Sequence, residues 1–238
     1  MDEHIERELQ RAIGLSDLAM LLAAGFEFPE SRLADALVNG DFLADWCVSM
    51  ADACGEVSAA DEALAKRCAA AFTEGEVRED TLRREYSRLF LAPGVKVPIW
   101  PYESCFQHRA SGAKGAPSLF RTRIALDVER RMHEAGVAPV DEHREPGDSV
   151  FRELEFLAHL HAQQGEALRT GNESRMAVWS VRLAEFAEEH ALAWMPAFME
   201  QVSALSRLGA YRCLGDLGTR YLAELKADVQ KVSTETER

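Results

Sequence analysis

This sequence of 238 residues lacks the signals of several common protein classes. Its five cysteines form no Cys-x-x-Cys pair, the close spacing that structural zinc sites usually require. The N-terminal residues MDEHIERELQ are acidic and polar, which is not the pattern of a secretory signal. We also identify no apolar run approaching the about 18 residues that a membrane-spanning helix needs. These absences predict a cytoplasmic protein whose cysteines are reduced.

Positive charge is scarce as well. The chain carries 27 Lys and Arg against 40 Asp and Glu, which gives a formal net charge of −13. Nonspecific binding of nucleic acid requires an excess of basic side chains to neutralise phosphates, so the composition argues against it. An acidic protein suits a partner that carries a basic segment, although many soluble proteins are acidic without having one.

The usual motifs of catalysis and metal binding are missing. None of the seven histidines has a glutamate three residues before it, as helical di-iron sites require. Ser104 and Cys105 lack the context of an activated nucleophile and have no assignable base. The glycines at Gly112 and Gly115 do not form a phosphate loop. His143 beside Glu142 is interpreted as a solvated charge cluster. The sequence therefore predicts no metal, no cofactor and no catalytic residue.

What the sequence does contain is helical periodicity along nearly its whole length. No strand pattern of useful length occurs, so we predict an all-α globule of about ten helices. Ser58, Asp148 and Asn172 are suitable N-terminal caps. The predicted helices cover residues 5–24, 31–38, 41–54, 58–75, 80–91, 117–136, 148–170, 172–191, 192–207 and 210–230.

A polar loop with two prolines suggests a division of the chain. We predict a hinge at residues 137–148 between an N-terminal helical half, 1–136, and a C-terminal helical half, 149–238. The N-terminal half includes the proline-rich loop described next. Since hinges allow exchange of identical halves, both a monomer and a domain-swapped dimer remain open.

The loop between residues 91 and 104 is the most unusual segment. It holds three prolines together with Trp100 and Tyr102, whereas surface loops are usually polar. Prolines lower the entropy lost when a loop is ordered, so this segment can present a fixed surface. Such a loop either packs against the body of the protein or receives a partner.

We expect the binding residues to lie in this loop, at the end of the helix before it and at the hinge. Trp100 and Tyr102 are rigid aromatic anchors, and Glu103 is an acceptor for Arg or Lys. Trp100 could instead fill the core, Glu103 could form an internal salt bridge, and Asp148 could serve only as a cap. The candidate residues are Leu89, Phe90, Trp100, Pro101, Tyr102, Glu103, Glu145, Pro146, Asp148 and Ser149.

Three blocks of sequence resemble the TorD/DmsD family of redox-enzyme maturation chaperones, which is related to the NarJ group. Residues 86–104 match the pattern Y-x-x-L-F-x-x-P followed by P-x-W-P-Y-E-S. Residues 145–157 contain E-P-x-D and then E-L-x-F-L. Residues 189–198 contain E-H-x-x-x-W-x-P-x-F. The family usually has a histidine after the aspartate of the second block, where this chain has Ser149.

The resemblance implies a cytoplasmic chaperone that has no catalytic activity of its own and needs no cofactor. It would bind the twin-arginine signal peptide, the apo form, or both, of a molybdopterin oxidoreductase catalytic subunit. It would thereby support cofactor insertion and proofreading before export. The alternatives are a NarJ-like assembly factor that binds the enzyme body without a signal peptide, and a helical metal-dependent enzyme. The sequence does not identify the client.

A twin-arginine peptide combines a basic segment with an apolar one. Its receiving groove should therefore be apolar along the middle and acidic at the rim.

Overall fold

The computed structural model describes residues 3–73, 76–91, 97–137 and 146–236, with side chains as far as residue 231. Within these ranges the chain forms eleven α-helices and no strand, so the prediction of an all-α globule is confirmed. The helices are α1 (Glu3–Phe26), α2 (Ser31–Asn39), α3 (Asp41–Cys54), α4 (Ala59–Thr73), α5 (Glu79–Phe90), α6 (Glu103–Ala110), α7 (Arg123–Glu134), α8 (Val150–Arg169), α9 (Glu173–Phe186), α10 (Leu192–Leu205) and α11 (Gly209–Thr236). A π-helical turn, Ala187–Ala191, connects α9 to α10 directly.

Two long helices organise the packing. Helix α1 lies against α8 and α3, and α11 lies against α10 and α4. Helix α2 contacts α3, α4 and α5. Because α1 also contacts α11, the two halves predicted from the sequence share one hydrophobic core, while the division at a hinge stays a prediction. Residues 138–145 of that hinge lie outside the described residues.

The centre of the core is aromatic. Phe198 on α10 has ring centroids at 5.5 Å from Phe26, 5.9 Å from Phe90 and 5.2 Å from Trp194. These rings come from α1, α5 and α10, so helices far apart in sequence meet at one point. Edge-to-face and stacked ring pairs add about 0.5–1.5 kcal/mol each beyond the area they bury.

Close approach of α1 to α3 depends on a glycine. A Cβ atom placed on Gly14 would lie 2.5 Å from the backbone nitrogen of Ala53 and 2.5 Å from the carbonyl oxygen of Ser49. Backbone atoms cannot rotate away as the end of a side chain can, so only glycine fits here without a shift of one helix. The crease between α1 and α3 forms part of the groove described below.

Two of the three predicted helix caps are confirmed. Asp61 and Ser58 exchange hydrogen bonds at the start of α4, and the side chain of Asn172 accepts from the Arg175 amide. The prediction for Asp148 was wrong, because its carboxylate accepts from the Ser104 amide at 3.0 Å and so caps α6. Helix α8 begins after Ser149, whose side chain makes no cap hydrogen bond.

Helix boundaries near residue 120 also differ from the prediction. The helix expected to start at Pro117 begins at Arg123, where the Thr122 hydroxyl accepts from the Ala125 amide. Helix α6 was not predicted at all. Its cap, Asp148, comes from 44 residues away along the chain, and a local pattern cannot show such a partner.

Helix α1 is long and apolar enough to cross a membrane by length and composition, which the sequence analysis did not anticipate. In the 18-residue stretch of α1 that is apolar enough, 56% of the residues are buried against the rest of the protein. This is the burial of a core helix, and it agrees with the position of α1 between α8 and α3.

Candidate functional site

The proline-rich loop and the start of α8 are hydrogen-bonded to each other. The Glu103 amide donates to the Asp148 carbonyl at 2.8 Å, and the Val150 amide donates to the Pro101 carbonyl at 2.9 Å. These two bonds flank an antiparallel β-bridge between Tyr102 and Ser149. The two segments that the sequence singled out are therefore in direct contact, with no cleft between them at this point.

Most of the candidate binding residues are inaccessible to a partner. Trp100 is half-buried and packs against the core, and Tyr102 is half-buried. Glu145 lies outside the described residues. The buried candidates are Leu89, Phe90, Pro101, Glu103, Pro146, Asp148 and Ser149. A fully buried side chain contributes to the core and positions its neighbours, and it reaches a partner only if the structure opens.

Glu103 forms the internal ion pair that was the alternative to partner binding. One of its carboxylate oxygens lies 2.8 Å from Nδ1 of His190, and Nε2 of His190 lies 3.1 Å from the Asp127 carboxylate. Burial alone would lower the pKa of His190, but the hydrogen bond and charge of Glu103 and the hydrogen bond to Asp127 outweigh burial and raise it. The imidazole of His190 thus links α6, α7 and the π-helical turn.

A second buried carboxyl lies beside this ion pair. Glu153 on α8 is 0% exposed and accepts a hydrogen bond from the indole of Trp194 at 3.0 Å. Burial, and then the charges of Glu103 and Asp148, raise the pKa of Glu153 well above its usual value. Burial thus favours the protonated form of Glu153. This cluster fixes the start of α8 against α6 and α10, and its carboxyls are closed off from solvent.

An open groove lies next to this junction. It has a volume of about 830 Å³ and runs between α1, α2 and α3, ending at the proline-rich loop and the start of α8. We call it the α1–α3 groove. Its walls are mainly apolar. The apolar and aromatic lining residues are Met20, Leu21, Ala24, Phe28, Pro29, Leu33, Ala36, Phe42, Tyr86, Leu91, Tyr102 and Phe151.

Several of these apolar walls are exposed to solvent. Phe28 is 46% exposed, Met20 48% and Leu91 50%. Phe28 packs edge-on against Tyr86 with ring centroids 5.4 Å apart, so its position is fixed although it faces outward. Contiguous exposed apolar surface with a polar rim is typical of interaction sites.

The rim of the groove is acidic. Four carboxylates and one guanidinium line it, from Glu27, Glu30, Asp41, Asp45 and Arg32. A second hollow of about 380 Å³ continues the groove along α1 and shares Met20, Leu21, Ala24 and Asp45 with it. This extension adds Asp17 and Val48 to the lining. The groove thus has an apolar middle and an acidic edge, and most of the residues that build it differ from those predicted for a binding site.

Of the predicted binding residues that the structure describes, Tyr102 alone lines the groove. Phe28, Met20 and Phe151 were missed. One local signal could have identified Phe28, since it lies in the segment Glu27-Phe28-Pro29-Glu30, where an aromatic and a proline stand between two acids outside a helix. Met20 and Phe151 lie within helices, where a pattern cannot distinguish a groove wall from core.

No cluster of three or more potential metal-ligating side chains occurs among the described residues. His143 and Glu142 lie outside those residues. All five cysteines are free thiols in the structure.

The fold and the groove define an all-α protein with an open apolar cleft and an acidic rim. The sequence matches the family described as nitrate reductase delta subunit over residues 53–200. This match spans more than half of the chain, and the chain belongs to that family, which confirms the predicted relation to the TorD and NarJ groups.

Curated relatives carry the names of chaperones, not of enzymes, as the sequence analysis expected. The chain is 31% identical over 139 residues to "Chaperone protein TorD" of Photobacterium profundum, covering 57% of this chain and 59% of that protein. It is 30% identical over 125 residues to the "Selenate reductase assembly chaperone protein" of Thauera selenatis, covering 52% and 59%. It is 30% identical over 154 residues to the "Chlorate reductase assembly chaperone protein" of Ideonella dechloratans, covering 64% and 74%.

The matches to the first two relatives extend over less than two thirds of their length. The family match includes Tyr86, Tyr102 and Phe151, at one end of the groove, but not the walls supplied by α1, α2 and most of α3. The family match therefore gives no information about those walls, which are known from this structure alone.

Proposed function

We propose that this protein is a cytoplasmic chaperone for the catalytic subunit of a molybdopterin oxidoreductase, and that it holds the twin-arginine signal peptide of that subunit in the α1–α3 groove. Binding of the peptide delays export until the cofactor has been inserted. The observation that carries the proposal is the groove itself, whose exposed apolar walls and acidic rim are complementary to an apolar segment flanked by arginines. The names of the relatives support the chaperone role.

Apolar contacts supply most of the affinity in this proposal. Removal of apolar surface from water contributes about 25 cal/mol per Å², and Phe28, Met20 and Leu91 each offer such surface. An exposed charge pair contributes only about 0.2–1 kcal/mol. The acidic rim therefore selects basic peptides and accelerates their association, and the apolar walls retain them.

In this proposal, most of the binding residues predicted from the sequence do not contact the peptide but hold the groove wall in place. Tyr102 contacts the peptide directly. Pro101, Glu103, Asp148 and Ser149 hold Tyr102 and the start of α8 in place through the paired segments. Leu89 and Phe90 belong to the core, Trp100 packs against it, and the buried Pro146 accepts a hydrogen bond from the Ser149 amide.

A titration tests this function. The probe is a synthetic twin-arginine signal peptide from the molybdopterin oxidoreductase encoded nearest to this gene, carrying a fluorophore at its C-terminus. We expect saturable one-to-one binding, measured by fluorescence anisotropy, and much weaker binding of a peptide of the same composition in scrambled order. Equal binding of both peptides, or of neither, would contradict the proposal.

A second candidate function is that of an assembly factor that binds the client's folded body and not its signal peptide. The description of the matching family, a nitrate reductase subunit, favours this alternative. Removal of the leader from the client distinguishes the two. If the chaperone co-purifies with a leaderless client as strongly as with the complete client, it binds the folded body of the client. The α1–α3 groove would then bind a segment of that body.

A further inference from the structure

The two ends of the α1–α3 groove differ in charge. At the end nearest the middle of α1, the lining carries Asp17 and Asp45, with Asp52 close to Asp17, and it holds no basic residue among those that the structure describes. At the opposite end the lining is aromatic, with Phe28, Tyr102 and Phe151. The groove is therefore not symmetric with respect to a peptide that is basic at one end and apolar at the other.

The carboxylates at the acidic end are not used inside the protein. Asp17, Asp45 and Asp52 form no ion pair with any described residue, whereas buried or structural acids such as Asp61 and Asp127 each bind an arginine. Desolvation, and then the charges of Asp52 and Asp45, raise the pKa of Asp17. A cationic ligand bound beside these three acids would reduce the repulsion between their charges.

The aromatic end already contains cations. The guanidinium of Arg83 lies 5.3 Å from the ring centre of Phe28, and that of Arg152 lies 5.8 Å from the ring centre of Phe151. Arg32 lines the groove on α2. Arg83 is paired with Glu79, and Glu27 and Glu30 also line this end, so a ligand arginine here would meet charges of both signs. At the acidic end, among the residues that the structure describes, it would meet carboxylates only.

We propose, on the basis of the proposed function, that the bound leader runs parallel to α1, with its arginines over Asp17 and Asp45 and its apolar segment over Phe28 and Tyr102. The basic part of such a leader precedes the apolar part, and α1 runs from Asp17 toward Phe28. The chain direction of the leader therefore follows that of α1. This assignment gives Asp17 and Asp45 a role in specificity.

The dimensions of the groove suit such a ligand. From Asp17 to the end of α1 at Phe26 the helix advances about 14 Å at 1.5 Å per residue. The groove continues beyond α1 to Phe28, Tyr102 and Phe151. An α-helical leader segment of about ten residues covers the part along α1, so the arginines and the apolar segment can occupy the two ends at once.

Photo-crosslinking of the unmodified chaperone tests the orientation. Two versions of the leader peptide carry a photoreactive phenylalanine analogue, one beside the arginine pair and one in the apolar segment, and the crosslinked residues are identified by mass spectrometry. We expect the first peptide to crosslink to residues 13–20 and 45–52, and the second to Phe28, residues 99–102 or residues 150–152. The reverse pattern would overturn the inference and leave the proposed function intact, whereas absence of saturable binding would remove both.

Charge removal provides a second test. The double variant Asp17→Asn with Asp45→Asn should bind the leader about three- to tenfold more weakly, and it should bind a leader with glutamines in place of the arginines as well as the unmodified protein does. Asp35→Asn is the matched control, because Asp35 is an exposed helical aspartate that does not line the groove. Equal effects of the double variant on both peptides, or no effect on either, would contradict a contact between these acids and the arginines.

Discussion

The carboxyl groups near the groove and the paired segments fall into two groups, one buried and one exposed to solvent. Glu103, Asp148 and Glu153 are almost fully buried, and each is occupied by an internal hydrogen bond to His190, Ser104 or Trp194. Asp17 and Asp45 are exposed beside the groove. A sequence identifies all five as acids, but only their burial decides which of them can meet a partner.

Glu153→Gln should make the protein more stable at neutral and alkaline pH. The pKa of Glu153 is raised in the folded protein, so unfolding above pH 4.5 releases a proton, and stability falls as pH rises toward the folded pKa. The slope from this group is at most about 1.4 kcal/mol per pH unit. Glutamine is always neutral and keeps an oxygen for the Trp194 indole. The free energy of unfolding, measured with urea from pH 5 to pH 8, should show a gain that increases with pH.

The control for this prediction is Glu200→Gln on α10. Glu200 is exposed to solvent, so its replacement removes a carboxylate without changing a buried contact and should change stability by less than about 0.5 kcal/mol. A gain for Glu153→Gln that did not grow with pH would show that Glu153 is ionised in the folded protein.

At the scale of helices, the π-helical turn decides where His190 lies. The turn at Ala187–Ala191 joins α9 to α10 without a loop. It aligns His190 with Glu103 and Asp127, while Trp194 one turn later reaches Glu153. The sequence predicted a helix boundary at residues 191 and 192, but the widened turn depends on contacts with α6 and α7 that a local pattern does not contain.

Gly14→Ala should separate α1 from α3 and destabilise the protein. The added methyl group would meet the backbone of Ser49 and Ala53 at about 2.5 Å, and overpacking of this kind costs about 1–3 kcal/mol. Because α1 and α3 form the groove, the same variant should also weaken leader binding. Urea denaturation gives the change in stability from the midpoint at constant slope.

Gly165→Ala on α8 provides the comparison. Its added Cβ would lie 3.5 Å from Leu9, an ordinary contact, and alanine lowers the backbone entropy of the unfolded chain, so stability should rise by up to about 1 kcal/mol. Equal effects of the two substitutions would mean that the α1–α3 crossing does not depend on Gly14.

Helices with strong periodicity were predicted closely, and elements that depend on distant partners were not. The bounds of α2 and α3 agree with the prediction to within one residue, because apolar spacing and Gly40 specify them locally. Helix α6 depends on Asp148 from across the molecule. The groove was missed for a similar reason, since three helices, a loop and the start of α8 each supply only part of its wall.

At the scale of the whole molecule, α1 serves the core and the groove at once. One face of α1 packs on α8, and another borders the groove through Met20 and Leu21. The net charge of −13 favours the approach of a basic segment over long range. Composition and family resemblance predict an apolar surface with acidic edges, and the residues predicted for it lie mainly at the paired segments, which are joined by hydrogen bonds.

The central claim is that the exposed apolar wall of the α1–α3 groove binds the client's leader. Phe28→Ala tests it most directly, with Phe120→Ala as the matched control, because Phe28 and Phe120 are 46% and 51% exposed and only Phe28 lines the groove. Affinity for the fluorescent leader should fall about fivefold or more for Phe28→Ala, as expected for loss of about 1 kcal/mol of apolar contact. It should stay within about twofold for Phe120→Ala. Unchanged affinity of a folded Phe28→Ala variant, or equal losses in both, would contradict the account.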